Sequence, residues 1–394
     1  MVQKLPRQIR LCCIGFPFNY PTAGRLFKFL SHLSTEYDLR VDIITPNNWN
    51  GYSFPDIDKY STEKFIVHKS ETLNFDFRKP YAQFKFIFRS LRETIRRINP
   101  DVIYGFGEPV ALQNFHLANI SRKTKAKLGY QCWENMIFKH LFFVNWMERY
   151  TISKADFLIP GTDEIKKIYL GKGAIEEKMY VLPEAGIDIG FYKPLDKGLS
   201  GFSGKKGKTF LFLGRLIDVK GILTILKAVE ILEAKGEEFS LLIVGFGKAN
   251  DQKIVEEVRK FSAARNNVKL MEDLENKQVP IAYNTASFFV FPSIPNENWR
   301  EQFGYPVIEA MSCGIPVIST FSGGPATLIE EGKNGFVINP GNAEALADRI
   351  RILLNDKILC SKMGEYSRKY VIENFSIEAT AKRFYSILCD VLKK

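Results

Sequence analysis

Thr209-Phe210-Leu211-Phe212-Leu213-Gly214-Arg215 runs on through Leu216-Ile217-Asp218-Val219-Lys220-Gly221, and this stretch decides the class of fold. A short apolar run that stops at a glycine reads as a buried strand, and helical periodicity sets in at about Ile222, so the unit is strand, turn, helix. Toward the C-terminus the alternation recurs, with strands at 240–244, 268–271, 288–291, 316–320 and 335–338 and helices from about Asp251 and near Pro306. Toward the N-terminus it recurs with strands at 11–15, 41–45, 65–67, 102–104, 128–131 and 157–159. Such alternation predicts the α/β class, with parallel sheets covered by helices, here as two Rossmann-like doubly wound domains. Ligands of these sheets gather at the carboxyl ends of the strands, so the turns leaving them are where chemistry is sought.

Length and composition agree. A chain of 394 residues exceeds what one core usually organises, which favours two domains. Near 183 the pattern gives way to Pro183-Glu184-Ala185-Gly186-Ile187-Asp188, and by 199–208 to a stretch rich in glycine and lysine, which is linker chemistry. The expected domains are 1–195 and 196–375, with 376–394 a C-terminal helix packing back on the first domain. No apolar run approaches the ~20 residues that span a bilayer; Leu141-Phe142-Phe143-Val144 is among the longest. The apolar stretch behind Lys4, Arg7 and Arg10 is too short for a signal peptide and reads as a first buried strand. Six cysteines lie scattered without C-x-x-C spacing, so a reducing, cytoplasmic location is expected. The four histidines have no metal-ligand spacing, so neither a protein-held metal nor a tightly bound cofactor is expected. The net charge of +11 points to an anionic partner, which phosphorylated substrate, nucleic acid and acidic membrane all satisfy. Nucleic acid is set aside, because the cations are not interleaved with aromatics on a single-strand platform.

The opening stretch also carries candidate chemistry. Gly214 lets an anion approach the backbone, and Arg215 and Lys220 are placed to neutralise a diphosphate, one as a planar fork and the other as a point charge. A tight turn with two solvated cations is an equal reading. Gly245-Phe246-Gly247 after the next strand offers a second close approach, but Asn250 stands where a dinucleotide fingerprint has its third glycine. Pro306 suits the first turn of a helix, so the amides of Phe303, Gly304 and Tyr305 would form an anion site at its N-terminus. Glu309 is placed in that first turn, where complementing the helix dipole is an alternative role. Glu301 lies in the preceding loop, as a partner for sugar hydroxyls or as a solvated acid.

Glu301-x7-Glu309 with Phe303-Gly304, then Ala310-Met311-Ser312-Cys313-Gly314-Ile315-Pro316-Val317-Ile318 and Gly323-Gly324, closely resembles the GT-B family of retaining glycosyltransferases, family 4 (glycosyl transferases group 1). Gly214-Arg215 with Lys220-Gly221, Gly245-x-Gly247 and Gly186-Ile187-Asp188 look like further marks in the same order. The resemblance implies two domains facing each other across a cleft, acceptor site in the first and nucleotide sugar in the second. It implies an enzyme moving a sugar from a nucleotide-diphosphate sugar, as co-substrate, to a hydroxyl of a glycan or lipid-linked acceptor. Arg215 and Lys220 would stabilise the diphosphate as leaving group without a metal, Glu309 would hold the ribose, and Glu301 would contact the transferred sugar. Two departures stand out: Thr327 replaces a common acid after the paired glycines, and Asn296-Glu297-Asn298-Trp299-Arg300 lengthens the loop before Glu301. The alternatives are a catalytically silent nucleotide-sugar- or membrane-binding subunit of the same fold and a nucleotide-sugar epimerase.

The first domain departs further. Its first loop, Gly15-Phe16-Pro17-Phe18-Asn19-Tyr20-Pro21-Thr22-Ala23-Gly24-Arg25, has one candidate acceptor-loop glycine, Gly24. After the middle strand, Glu108 replaces a common histidine as candidate for acceptor chemistry or as a helix-start acid. Trp133 and Glu134 follow a strand, offering a stacking face and a carboxylate to an acceptor or serving as loop anchors. Finally, Phe84, Ile87, Phe88, Leu91, Ile95 and Ile98 fall on one helical face and Lys85, Arg89, Arg92 and Arg96 on another. With Arg78 and Lys79, this 84–98 helix is either a sheet-covering helix with a solvated cationic face or a peripheral contact with the inner face of an anionic membrane.

Overall fold

The structure, a computed structural model, describes residues 8–15, 23–46, 62–73, 86–138, 140–196, 198–199, 202, 204, 207–247, 251–272 and 274–393. Residues 16–22 of the first loop, Arg78, Lys79, Phe84, Lys85 and Asn250 lie outside them. The chain divides into two compact units, one running to Gly186 and resuming at Ile377, the other spanning Ile187–Ser376.

The first unit contains β1 (Ile9–Ile14), α1 (Ala23–Glu36), β2 (Leu39–Pro46), β3 (Phe65–Ser70), β4 (Thr72–Leu73), β5 (Ile87–Phe88), α2 (Leu91–Ile98) and β6 (Val102–Gly105). It continues through α3 (Leu112–Ser121), β7 (Lys127–Cys132), α4 (Phe142–Lys154), β8 (Phe157–Pro160) and α5 (Asp163–Gly171). Its main sheet is parallel throughout, in the order β3-β2-β1-β6-β7-β8. Helices cover both faces, so β1 is buried on both: Leu11 and Cys13 join one core, and Cys12 and Ile14 the other.

The second unit repeats the plan with β9 (Thr209–Leu213), α6 (Ile222–Ala234), β10 (Ser240–Val244), α7 (Gln252–Ala263), β11 (Val268–Met271), α8 (Val279–Thr285) and β12 (Phe288–Phe291). It ends with α9 (Tyr305–Ser312), β13 (Val317–Thr320), α10 (Gly324–Thr327), β14 (Gly335–Ile338), α11 (Ala343–Asn355) and α12 (Lys357–Phe375). Its order, β11-β10-β9-β12-β13-β14, reverses direction between β9 and β12, where such a sheet opens a crevice.

Two sequence expectations change. The 84–98 segment is not one helix: Ile87–Phe88 pairs antiparallel with β4, and the helix is only Leu91–Ile98. Burial explains this, since Phe86 and Phe88 are both fully enclosed in edge-to-face contact at 5.3 Å, a period of two that a helix cannot give. The break between units also comes earlier than 195–196. The 187–195 segment is fastened to the second unit, with the Leu195 amide donating to Asn284 Oδ1 at 2.7 Å. Arg368 of α12 completes the fastening by donating to the carbonyls of Ile189 (3.0 Å), Tyr192 (2.7 Å) and Ser312 (2.6 Å). The last helix, α13 (Ile377–Lys393), packs in the first unit: Phe384 meets Phe29 at 5.9 Å and Tyr385 stacks on Tyr37 at 4.5 Å.

Arg368→Leu removes the donor from three carbonyls at once. Hydrogen bonds to a charged group contribute about 1.5–3 kcal/mol each, so the variant is expected to lose about 2 kcal/mol or more. The checks are a lowered melting midpoint and faster amide exchange confined to 187–195 and its neighbours.

Candidate functional site

Strand β9 ends in Gly214, and the chain closes a single 3-10 turn at Asp218–Lys220 before α6. Gly221 ends that turn in the left-handed region (φ 71°), where a Cβ would stand 1.9 Å from the carbonyl oxygen of Pro292, so only glycine lets the turn lie against the loop leaving β12. The Ile294 amide then donates to the Val219 carbonyl at 2.9 Å. Two turns on opposite sides of the strand-order reversal are thereby held in register.

This register brings Lys220 and Glu301 together. Lys220 Nζ pairs with Glu301 Oε1, which also accepts from Ser293 Oγ at 3.0 Å. The ammonium lies 4.8 Å from the Trp299 ring centre and 5.4 Å from that of Phe291, within cation–π range of both. Both charged side chains are largely enclosed, at 16% and 12% exposure, so the pair is far less screened than a surface one. Glu301 is thus no solvated loop acid. Its backbone is pinned as well: its amide donates to Ser322 O at 2.9 Å, and its carbonyl accepts from the Gly324 amide at 3.1 Å.

The 296–300 insert is ordered by its own bonds. Asn296 and Trp299 exchange backbone hydrogen bonds at 2.9 and 3.4 Å, and Asn296 Oδ1 accepts from the Asn298 amide at 2.8 Å. The turn delivers Trp299 to Lys220. In the sequence Trp299 has no role beyond its place in the insert; a tryptophan two residues before the loop acid is the signal the sequence carries.

Helix α9 starts at Tyr305 after Gly304, itself left-handed at φ 90°. Its first turn holds no acid: Glu309 lies a turn deeper than expected. It is 6% exposed and accepts from Tyr283 OH at 3.1 Å, so a surface role complementing the helix dipole does not apply. Phe303 is buried, packing on Tyr305 at 5.0 Å and Phe375 at 5.9 Å. Arg215 is exposed. The Gly245–Gly247 turn stands beside it, with the Gly214 amide donating to Val244 O at 3.0 Å and the Leu216 amide to Phe246 O at 2.9 Å.

In the first unit, Glu108, Trp133 and Glu134 come together. Both Glu108 oxygens are taken: Oε1 accepts from the Trp133 amide at 2.9 Å and Oε2 from Tyr169 OH at 2.5 Å. Burial pushes this carboxyl up to about 8, against the hydrogen bond from Tyr169 and with help from nearby Glu134. Glu134 is buried and paired with Lys172, which also donates to Glu148 at 2.7 Å. Burial raises the Glu134 pKa too, with Lys172 opposing. These bonds match the loop-anchor reading of Glu134 and make Glu108 a group that positions the Trp133 loop. Glu184, read as linker, is instead partly buried, and that burial raises its carboxyl to about 7, opposed by Arg25 and by a hydrogen bond from the Trp133 side chain. Gly24 lies in α1, and among the described residues nothing comes within 4 Å of a Cβ built there.

Residues 200–370 match the family model Glycosyl transferases group 1. The matched residues hold Lys220, Glu301 and Glu309. The capsular polysaccharide biosynthesis glycosyltransferase CapM of Staphylococcus aureus is 31% identical over 184 residues, 46% of each chain. Spore coat protein SA of Bacillus subtilis is 30% identical over 192 residues, 48% of this chain and 49% of that one. The chain therefore spans about half the length of the curated relatives it matches. Among solved structures, a glycosyltransferase from Rickettsia africae superposes with a TM-score of 0.75 at 17% identity, over 98% of this chain and 99% of that one. HepE of Anabaena, in complex with UDP, superposes with a TM-score of 0.70 at 17% identity, over 97% and 100%. At that identity the likeness establishes the fold, which is of the GT-B type expected from the sequence.

Because the folded chain holds its Glu108 proton up to about pH 8 while an unfolded carboxyl releases it near 4.5, the folded state binds more protons between those values and stability falls as pH rises through them. Glu108→Gln keeps an acceptor for the Trp133 amide, and its amide nitrogen can donate to the Tyr169 hydroxyl oxygen where Glu108 accepts from that hydroxyl. Its melting midpoint should vary less across that window than the parent's; an equally steep decline would assign the pH dependence elsewhere.

Proposed function

We propose that the chain is a glycosyltransferase that takes a sugar from a nucleoside diphosphate sugar and transfers it, with retention of anomeric configuration, to a hydroxyl of a glycan or lipid-linked acceptor. The observation that carries this reading is the Lys220–Glu301 pair, walled by Trp299 and Phe291 at the reversal of strand order, within the stretch that matches the group 1 family. A pair of opposite charges that is mostly enclosed yet lies at the crevice is placed to exchange partners. When a diphosphate enters, Lys220 turns to its oxygens and Glu301 is freed to accept from sugar hydroxyls.

Arg215, exposed at the end of β9, closes on the second phosphate, and together the two cations stabilise the charge that builds on the leaving diphosphate. The amides of Phe303, Gly304 and Tyr305 at the start of α9 steady phosphate and sugar. Glu309, oriented by the Tyr283 hydroxyl, holds the ribose. The leaving phosphate takes the acceptor proton, so the scheme draws on no second carboxylate. HepE binds UDP, which makes UDP the first nucleotide to try.

The test is a thermal-shift series with nucleoside diphosphates and their sugars, since a ligand that binds only the folded state stabilises it by about 2.7 kcal/mol at a hundred times its Kd. A shift with UDP or another nucleoside diphosphate is expected, and Lys220→Ala and Glu309→Ala should each reduce affinity at least about tenfold. Undiminished affinity in both variants would remove the donor site from this place.

A further inference from the structure

Downstream of Trp133 the first unit exposes a run of large apolar side chains that neither the fold nor the donor site uses. Ile137 is 81% exposed, Leu141 68% and Phe142 88%, with Phe138, Phe143 and Trp146 each about half or more in the open. Single exposed apolar residues need no explanation, but six within ten positions, three of them on the first turns of one helix, form a patch.

Among the described residues of 134–154, the exposed charges all have one sign. The acids of this stretch, Glu134 and Glu148, are buried and bridged by Lys172. What remains exposed along α4 besides the aromatics is Asn145, then Arg149, one turn past Trp146, then Ser153 and Lys154. Arg122, exposed with Lys123 and Lys125 at the end of α3, donates to the hydroxyl of Tyr150, whose ring stacks on Trp146 at 5.8 Å. The face is therefore aromatic and aliphatic at one end and cationic at the other, with its own carboxylates turned inward.

We propose that this face, Ile137 to Trp146 backed by Arg149 and the Arg122–Lys125 cluster, seats the protein on an anionic lipid bilayer. Tryptophan and phenylalanine favour the boundary between headgroups and acyl chains, and cations beside them meet anionic headgroups within a screening length. A protein partner or a second copy would bury the aromatics equally well, but neither calls for the one-sided charge; a negatively charged surface does. The inference does not depend on the reading of the second unit, and its test uses no donor.

The full chain is floated with phosphatidylcholine vesicles carrying about 30% phosphatidylglycerol and, separately, with phosphatidylcholine alone. It is expected to float with the anionic vesicles only. Release is expected as salt rises from about 0.1 M to about 1 M, which shortens the screening length from about 10 Å to about 3 Å. The variant Phe142→Ser/Phe143→Ser should lower vesicle affinity at least about tenfold, and Arg149→Glu should lower it for anionic vesicles, each with an unchanged melting midpoint. Three outcomes would overturn the proposal: no flotation with anionic vesicles, undiminished flotation of the serine variant, or a lipid-free dimer of the parent that the serine variant loses, which would make the face a contact between copies.

Discussion

The candidate donor site depends on how closely two turns approach at the reversal of strand order in the second sheet. The left-handed turn at Gly221 lies against the Pro292 carbonyl, and the Val219–Ile294 hydrogen bond fixes their register. From that contact the rest follows. Lys220 comes within reach of Glu301, the aromatic side chains of Phe291 and Trp299 close around the ammonium, and the Gly323–Gly324 turn holds the Glu301 backbone. A larger residue at 221 would part the turns and leave both charges without the partner that makes their burial tolerable.

The strands are legible in the sequence for a physical reason. A strand of a parallel sheet is covered on both faces, so it appears as an uninterrupted apolar run whatever its neighbours are, as at Thr209–Leu213 and Phe288–Phe291. Where covering is one-sided, the signal is ambiguous. In the 84–98 segment the spacing of apolar residues fits a helical face, yet Phe86 and Phe88 are buried together where Ile87–Phe88 pairs with Thr72–Leu73, a partner distant in the chain. Glu309 and Glu301 show a further limit. Their types and spacing were legible, but the depth of Glu309 within α9 depends on where the helix starts, and the pairing of Glu301 with Lys220 depends on tertiary register. Pairings across 81 positions leave no local trace.

The first unit handles its acids differently. Glu108 and Glu184 are held in the neutral form to unusually high pH by burial, and each takes a hydrogen bond from Trp133, one from its backbone and one from its side chain. A neutral carboxyl costs far less to bury than an ionised one. The Trp133 loop can therefore be tied from both sides without importing charge, and Lys172 is left to neutralise Glu134 and Glu148 one layer away.

That inward placement of acids shapes the surface. With Glu134 and Glu148 consumed inside, the exposed described residues of the 133–155 stretch are aromatic, aliphatic, basic or neutral polar (Asn145 and Ser153), with no acid among them, and the stretch directly follows the loop that Glu108 and Glu184 secure. The exposed aromatics and the buried carboxyls are thus two consequences of one arrangement. The bonds that fix Trp133 anchor the start of the apolar run at the end of β7, while Tyr150 and Trp146, packed at 5.3 and 5.9 Å on Phe115 of α3, anchor its far end. A patch held at both ends loses little conformational entropy when it meets a partner, so its apolar area converts to affinity more fully than that of a loose loop.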